Sequence, residues 1–190
     1  MTTMKVSLSS EEKHYLDTVA VGLWSGGVQK PKDVNTLNAN ELLGKATFCI
    51  SDKRYDLAER LLTLAEITAN NIIDLHFVFN TWIELTYKQR ENPHYLNLCI
   101  EYCEKDIEIF QEFRAAYLKQ YPTHDRVLDI RLPSFKQLTI VYEKQGNIDE
   151  AIKLCELAIS YNLKDSTKGG YKGRLEKLLK KQNKINGGTL

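Results

Sequence analysis

Four polar side chains recur at every fourth position of an otherwise apolar stretch, and they are the residues best placed to do chemistry. Within residues 71–90 they are His76, Asn80, Glu84 and Lys88. This spacing places them on one face of a helix, and a helix that is apolar almost all round is usually central. The stripe is therefore a ligand-binding groove, a solvated face supported by local pairs, or an acid/base pair of His76 and Glu84. No activated nucleophile accompanies it, which argues against catalysis.

A second segment adds further candidate binding residues. Lys136 lies near the start of a predicted helix, and Ile140 and Glu143 follow on its next turns. A peptide bound here would use its backbone amides against Asn80 and its carboxylate against Lys136. We expect one concave ligand-binding surface, lined by His76, Asn80, Glu84, Lys136, Ile140 and Glu143.

Four cysteines raise the alternatives of a metal site and of buried thiols. Cys99 and Cys103 share a helix face, with His94 and His124 nearby in sequence. Structural zinc needs a second matched pair of ligands, and the sequence has none. Cysteines on apolar helix faces behave as small hydrophobes. We therefore expect reduced thiols, no metal, no cofactor and a cytoplasmic location.

The charge is unevenly distributed along the chain. The formal net charge of the 190 residues is +1, yet residues 164–190 hold eight basic and only two acidic residues. Leu175, Leu178 and Leu179 indicate that this tail packs as a capping helix; a phosphate-contacting helix is the alternative. Tyr171 is the only aromatic available there for base stacking, so we do not expect a nucleic-acid partner.

An acidic segment precedes the basic tail. Its carboxylates predict a solvated face, or a surface that attracts a basic partner such as the tail of another copy. They lie within a predicted helix over 94–120 and are Glu101, Glu104, Asp106, Glu108 and Glu112.

Several functional classes lack their sequence signals. The chain has no P-loop, no dinucleotide-binding glycine motif and no nucleophile elbow. It shows no secretory leader and no apolar run of the roughly 18 residues that a membrane helix needs. We expect a protein that is not an enzyme and does not span a membrane.

Helical periodicity covers nearly the whole chain, which predicts an all-α fold. Asn92-Pro93 is expected to start one helix, and Asn147 with Glu150 is expected to cap another. The predicted helices cover 9–24, a pair within 37–70, 71–90, 94–120, 132–145, 148–162 and 171–183, with a loop at 25–36 and a connection over about 122–131. The organisation would be an N-terminal helix and linker (1–36), helical repeats (37–165), and a basic capping helix and tail (166–190).

Residues 132–165, LPSFKQLTIVYEKQGNIDEAIKLCELAISYNLKD, carry the spacing of a known repeat. The positions of the W-x₂-L-G-x₂-Y pattern, and then of its two small residues, are occupied by Phe135, Leu138, Thr139, Tyr142, Ala151 and Ala158. This segment resembles a tetratricopeptide repeat. Residues 39–72 resemble a second copy, although Lys45 and Cys49 depart from its Leu and Tyr positions. Between the two copies the repeat register stays open.

The resemblance implies stacked helical hairpins with a concave face that binds peptides or partner helices. The chain is also similar to small uncharacterised helical-repeat proteins of bacteria and their phages. Since one repeat cannot bury its own apolar face, an array with a capping helix is expected. The leading functional expectation is a scaffold that binds a protein or peptide. A self-associating structural protein is the alternative, and a nucleic-acid-binding accessory protein is a weaker third.

Overall fold

The computed structural model describes residues 5–19, 32–122 and 132–187, and within these ranges the protein is entirely helical, as predicted. None of the helices in these ranges is long and apolar enough to cross a membrane. A 3₁₀ helix covers Val34–Thr36. The α-helices are α1 (Ser10–Val19), α2 (Ala39–Ser51), α3 (Tyr55–Thr68), α4 (Ile72–Lys88), α5 (Pro93–Glu108), α6 (Phe110–Gln120), α7 (Pro133–Gln145), α8 (Ile148–Ser160) and α9 (Gly170–Gly187).

Local sequence signals fix several helix ends. Ser9 caps α1, since its hydroxyl accepts a hydrogen bond from the Glu12 amide at 3.2 Å. Asn92 and Pro93 begin α5 as cap and first helical residue, as predicted. Gly146 ends α7 with a φ of 84°, a left-handed conformation that glycine adopts without strain.

The helices pair into three hairpins that stack side by side. The hairpins are α2 with α3, α4 with α5, and α7 with α8, and α9 packs against α8. The first helices form one layer, because α2 contacts α4 and α4 contacts α7. The second helices pack behind them, with α3 against α4 and α5 against α7. This arrangement assigns α4 and α5 to the middle hairpin, which sequence periodicity left open.

The predicted single helix over 94–120 is wrong. It divides into α5 and α6, with Ile109 between them. Cys99 and Cys103 belong to the apolar cluster of the first two hairpins, whereas Phe110 and Phe113 are fully buried in the cluster formed with α7, α8 and α9. The chain turns at Ile109 because the two halves of the segment are buried in two separate apolar clusters.

Other predicted boundaries also need correction. The expected cap at Asn147 does not form: its side chain caps no backbone amide, and Glu150 pairs with Lys153 at 2.6 Å. The last helix was expected over 171–183 but runs over Gly170–Gly187. The loop expected at 25–36 contains the 3₁₀ helix. The predicted end of the first helix at residue 24 and most of the connection over 122–131 lie outside the described residues.

The hairpin of α7 and α8 predicts the effect of enlarging a small residue at their contact. Ala151 is fully buried, so Ala151→Leu should lower the free energy of unfolding by about 1–3 kcal/mol. Ala115→Leu makes the same change at an exposed position of α6 and should have little effect. Urea unfolding of the two variants measures the difference, and equal stability would show that Ala151 is not tightly packed.

Candidate functional site

The first helices of the three hairpins leave one side of their layer accessible. We call this side the inner face and define it by Gly44 and Thr47 on α2, Phe77 and Thr81 on α4, and Ile140 on α7. Gly44 and Thr47 are exposed, and the other three are half-buried. The inner face thus mixes small, polar and apolar groups across three adjacent helices, which suits contact with a peptide.

His76 does not lie on this face, and its expected place on a concave surface is a correction. The side chain is fully buried between α4, α5 and α6. Its Nδ1 lies 2.6 Å from Oδ1 of Asp106. Its ring stacks on Phe113, with ring centroids 3.6 Å apart and planes inclined by 21°. The polar side chains do recur at every fourth position of α4, but α6 packs over the start of this helix and buries His76.

Both ring nitrogens of His76 have a polar neighbour. The amide nitrogen of Asn80 lies 3.0 Å from Nε2, and Oδ1 of Asp106 lies 2.6 Å from Nδ1. Oδ2 of Asp106 has no hydrogen-bond partner among the described residues. One buried Asp106 carboxyl group is thus held by one imidazole.

This geometry does not favour His76 as a general acid or base. Both ring nitrogens are engaged and the ring is fully buried, so a substrate has no access to it in this conformation. Glu84 lies two turns further along α4, about 12 Å away, and pairs with Lys88 at 3.8 Å. The predicted pairing of His76 with Glu84 is replaced by the pairing of His76 with Asp106.

Two of the three candidate residues on α7 form ion pairs with the last helix or with the loop before it. Nζ of Lys136 lies 3.5 Å from Oδ1 of Asp165, whose side chain is fully buried. Lys181 on α9 approaches the Glu143 carboxylate at 3.6 Å. Ile140, between them, is half-buried. Lys136, Ile140 and Glu143 therefore lie on one side of α7, and the two charged residues also connect α7 to α9 and its preceding loop.

Asp165 forms an ion pair with Arg174 of the capping helix α9. Nη2 of Arg174 lies 2.7 Å from its Oδ2. Burial acts to raise the pKa of the Asp165 carboxyl, but hydrogen bonds from Arg174 and Thr167 outweigh it and hold that pKa below its ordinary value. The carboxylate is therefore charged at neutral pH and compensated by two cations.

All four cysteines are buried and none is in a disulfide, which confirms their predicted apolar placement. Burial raises the pKa of the Cys49 and Cys155 thiols to about 11, so neither is an activated nucleophile. Burial likewise raises the pKa of Cys103. Among the described residues, no cluster of three His, Cys, Asp or Glu side chains is arranged to hold a metal ion.

The tail uses an aromatic, an apolar and a polar side chain for contacts with the last hairpin. Tyr171 and Leu178 are buried against the last hairpin, so Tyr171 is not available for stacking on a base. Gln182 donates to Asp149 of α8 at 2.6 Å. The segment therefore caps the array, as expected.

Sequence reasoning missed Asp106 and Asp165 as buried charges. The sequence pattern places Asp106 among the acidic residues expected to be exposed in its segment. Its spacing of three and seven residues from Cys103 and Cys99 puts it on their apolar face, and this signal could have separated it from Glu104 and Glu108. Asp165 follows a helix end, and no local pattern distinguishes it from a loop aspartate.

Comparison of the chain with protein-family models, with curated proteins and with solved structures finds no match.

The buried pair predicts an asymmetric mutational response. His76→Leu leaves the Asp106 carboxylate buried without a partner and should cost about 3 kcal/mol or more of unfolding free energy. Adding Asp106→Leu removes that charge, so the double variant should regain about 2 kcal/mol. Denaturant unfolding of both variants tests this. A double variant no more stable than His76→Leu would contradict the pairing.

Asp165 predicts a pH-dependent effect. Arg174→Met removes its closer cation and should lower stability by about 3 kcal/mol at neutral pH. Because the pKa of Asp165 is depressed in the fold, its ion pairs stabilise the protein above the unfolded pKa of about 4. That stabilisation is lost as the pH falls through the folded pKa, so the deficit of the variant should shrink below about pH 4. Thermal melts against pH measure it, with Lys172→Met on the exposed side of α9 as control.

Proposed function

We propose that this protein is a non-catalytic module that binds a peptide or a partner helix on its inner face. The observation that carries the proposal is the side-by-side contact of α2, α4 and α7, which gathers accessible side chains of three hairpins on one surface. A peptide laid across these helices would contact all three, and side chains of mixed polarity would fix its register. The tetratricopeptide-repeat resemblance of residues 132–165 and 39–72 supports the same reading.

Gly44 is a second support for the proposal. It lies in the middle of α2, where glycine costs about 1 kcal/mol relative to alanine. A Cβ built on Gly44 would meet nothing within 4 Å, and its φ lies in the ordinary helical range, so no intramolecular contact requires glycine there. Close approach of a partner's backbone is a physical reason for a glycine at this point of the inner face.

A binding role also accords with the state of the possible catalytic groups. His76 is enclosed and fully hydrogen-bonded, and the thiols of Cys49 and Cys155 have raised pKa values. Four buried cysteines outside disulfides fit the reducing cytoplasm, where we propose the protein acts. The partner that this proposal predicts is a protein or peptide; no cofactor is needed.

The test should avoid Asn80 and Lys136, which support His76 and Asp165 and whose replacement would disturb the fold. A double variant, Thr47→Arg with Ile140→Arg, instead places bulky charges on the inner face. Peptides selected from a random library against the wild-type protein should bind this variant at least tenfold more weakly. Such a loss corresponds to about 1.4 kcal/mol. Isothermal titration calorimetry measures the affinity.

A matched control is available on α3. Thr63→Arg with Ile67→Arg introduces the same residues at positions outside the inner face, and the Thr63 hydroxyl bonds its own helix at 2.8 Å as the Thr47 hydroxyl does at 2.9 Å. This control should keep wild-type affinity. If the selected peptides lose affinity for the α3 variant and keep it for the inner-face variant, the binding surface lies elsewhere and the proposal fails.

A further inference from the structure

Opposite charges are separated onto different helices of this protein. The second helices of the hairpins, α3, α5 and α8, together hold ten acidic and three basic residues. The terminal helix α9 holds six basic residues and one acidic residue. The inner face is part of neither group, so this segregation concerns a different surface.

Three of the four exposed lysines of α9 that lack an ion-pair partner among the described residues lie on one side of the helix; Lys172 is the fourth. Lys177, Lys180 and Lys184 are exposed, and none has an ion-pair partner within residues 5–19, 32–122 and 132–187. Their spacing of three and then four residues keeps them on one side of the helix. This side differs from the one that packs against α8 through Tyr171 and Leu178.

Three glutamates form a matching line on α5. Glu101, Glu104 and Glu108 are exposed and repeat the same spacing of three and then four residues. Each set therefore spans about 10 Å along its helix. Glu101 bonds Lys105 of its own helix at 2.8 Å, and Glu104 accepts a hydrogen bond from the Tyr142 hydroxyl at 2.9 Å. Both of these carboxylates remain at the surface.

We propose that α9 of one copy docks on α5 of a second copy. Laid parallel, the equal spacings join Glu101 to Lys177, Glu104 to Lys180, and Glu108 to Lys184. Within one chain the two lines do not face each other, because α9 packs against α8 whereas α5 packs against α4, α6 and α7. The complementary partner of each line is thus found on another copy of the same chain.

Because the proposed contact consists of exposed ion pairs, its strength and salt dependence can be predicted. Exposed ion pairs are individually weak, and added salt screens them. Association should therefore be weak, concentration-dependent and lost at high ionic strength. If α9 of each copy docks on α5 of the other, the two copies form a closed dimer. If each contact uses only one α9 and one α5, the copies form an open chain.

A charge-swap experiment tests the interface directly. One variant carries Lys177→Glu and Lys184→Glu, and the other carries Glu101→Lys and Glu108→Lys; Glu104 stays because it holds Tyr142. Sedimentation velocity on the full chain at low salt should show wild-type association, no association of either variant alone, and renewed association when the two variants are mixed. The wild-type association should disappear in about 0.5 M NaCl.

Controls separate this interface from general charge effects and from the inner face. Lys119→Glu with Lys144→Glu makes the same change in net charge away from α9 and should associate like wild type. The Thr47→Arg, Ile140→Arg variant should also associate normally, since the inner face is not involved. A wild-type protein that stays monomeric at low salt, or a mixture no heavier than its separate variants, would overturn the proposal. Circular dichroism confirms that each variant is folded.

Discussion

The burial of α4 is the constraint on which the rest of the structure depends. This helix packs against α2, α3, α5, α6 and α7, and it buries apolar side chains on several sides, among them Val78, Ile83 and Leu85. A helical hairpin cannot cover its own apolar surface, so the middle hairpin is stable only between two neighbours. The side-by-side order of α2, α4 and α7, and with it the inner face, follows from this requirement.

Two buried carboxylates lie where the apolar packing changes partners. Asp106 meets His76 beneath α6, close to the junction of the two apolar clusters, and Asp165 meets Lys136 and Arg174 where α9 joins the last hairpin. Such pairs contribute little net stability, but the loss of one partner is costly because the remaining charge stays buried. We interpret them as the interactions that fix where α6 and α9 dock, since an apolar contact alone would tolerate sliding.

Most helix positions and the first and last hairpins could be predicted because they depend on local spacing, whereas the pairing of the middle hairpin could not. The α7–α8 hairpin, the start of α5 at Asn92-Pro93 and the buried cysteines are examples of the predictable features. The break at Ile109 could not be predicted, because it arises where Cys103 is buried in one apolar cluster and Phe110 in the other. The stripe on α4 was recognised as polar, but whether His76 met water or Asp106 depended on α6, a long-range contact that periodicity does not encode.

Charged residues are also unevenly distributed over the surface of the protein. The second helices present acidic residues to water, and α9 carries exposed lysines. A chain with acids on its second helices and bases on its last helix has like charges within each surface and opposite charges between them. The proposed peptide binding and the proposed self-association involve different residues, so each can be tested without the other.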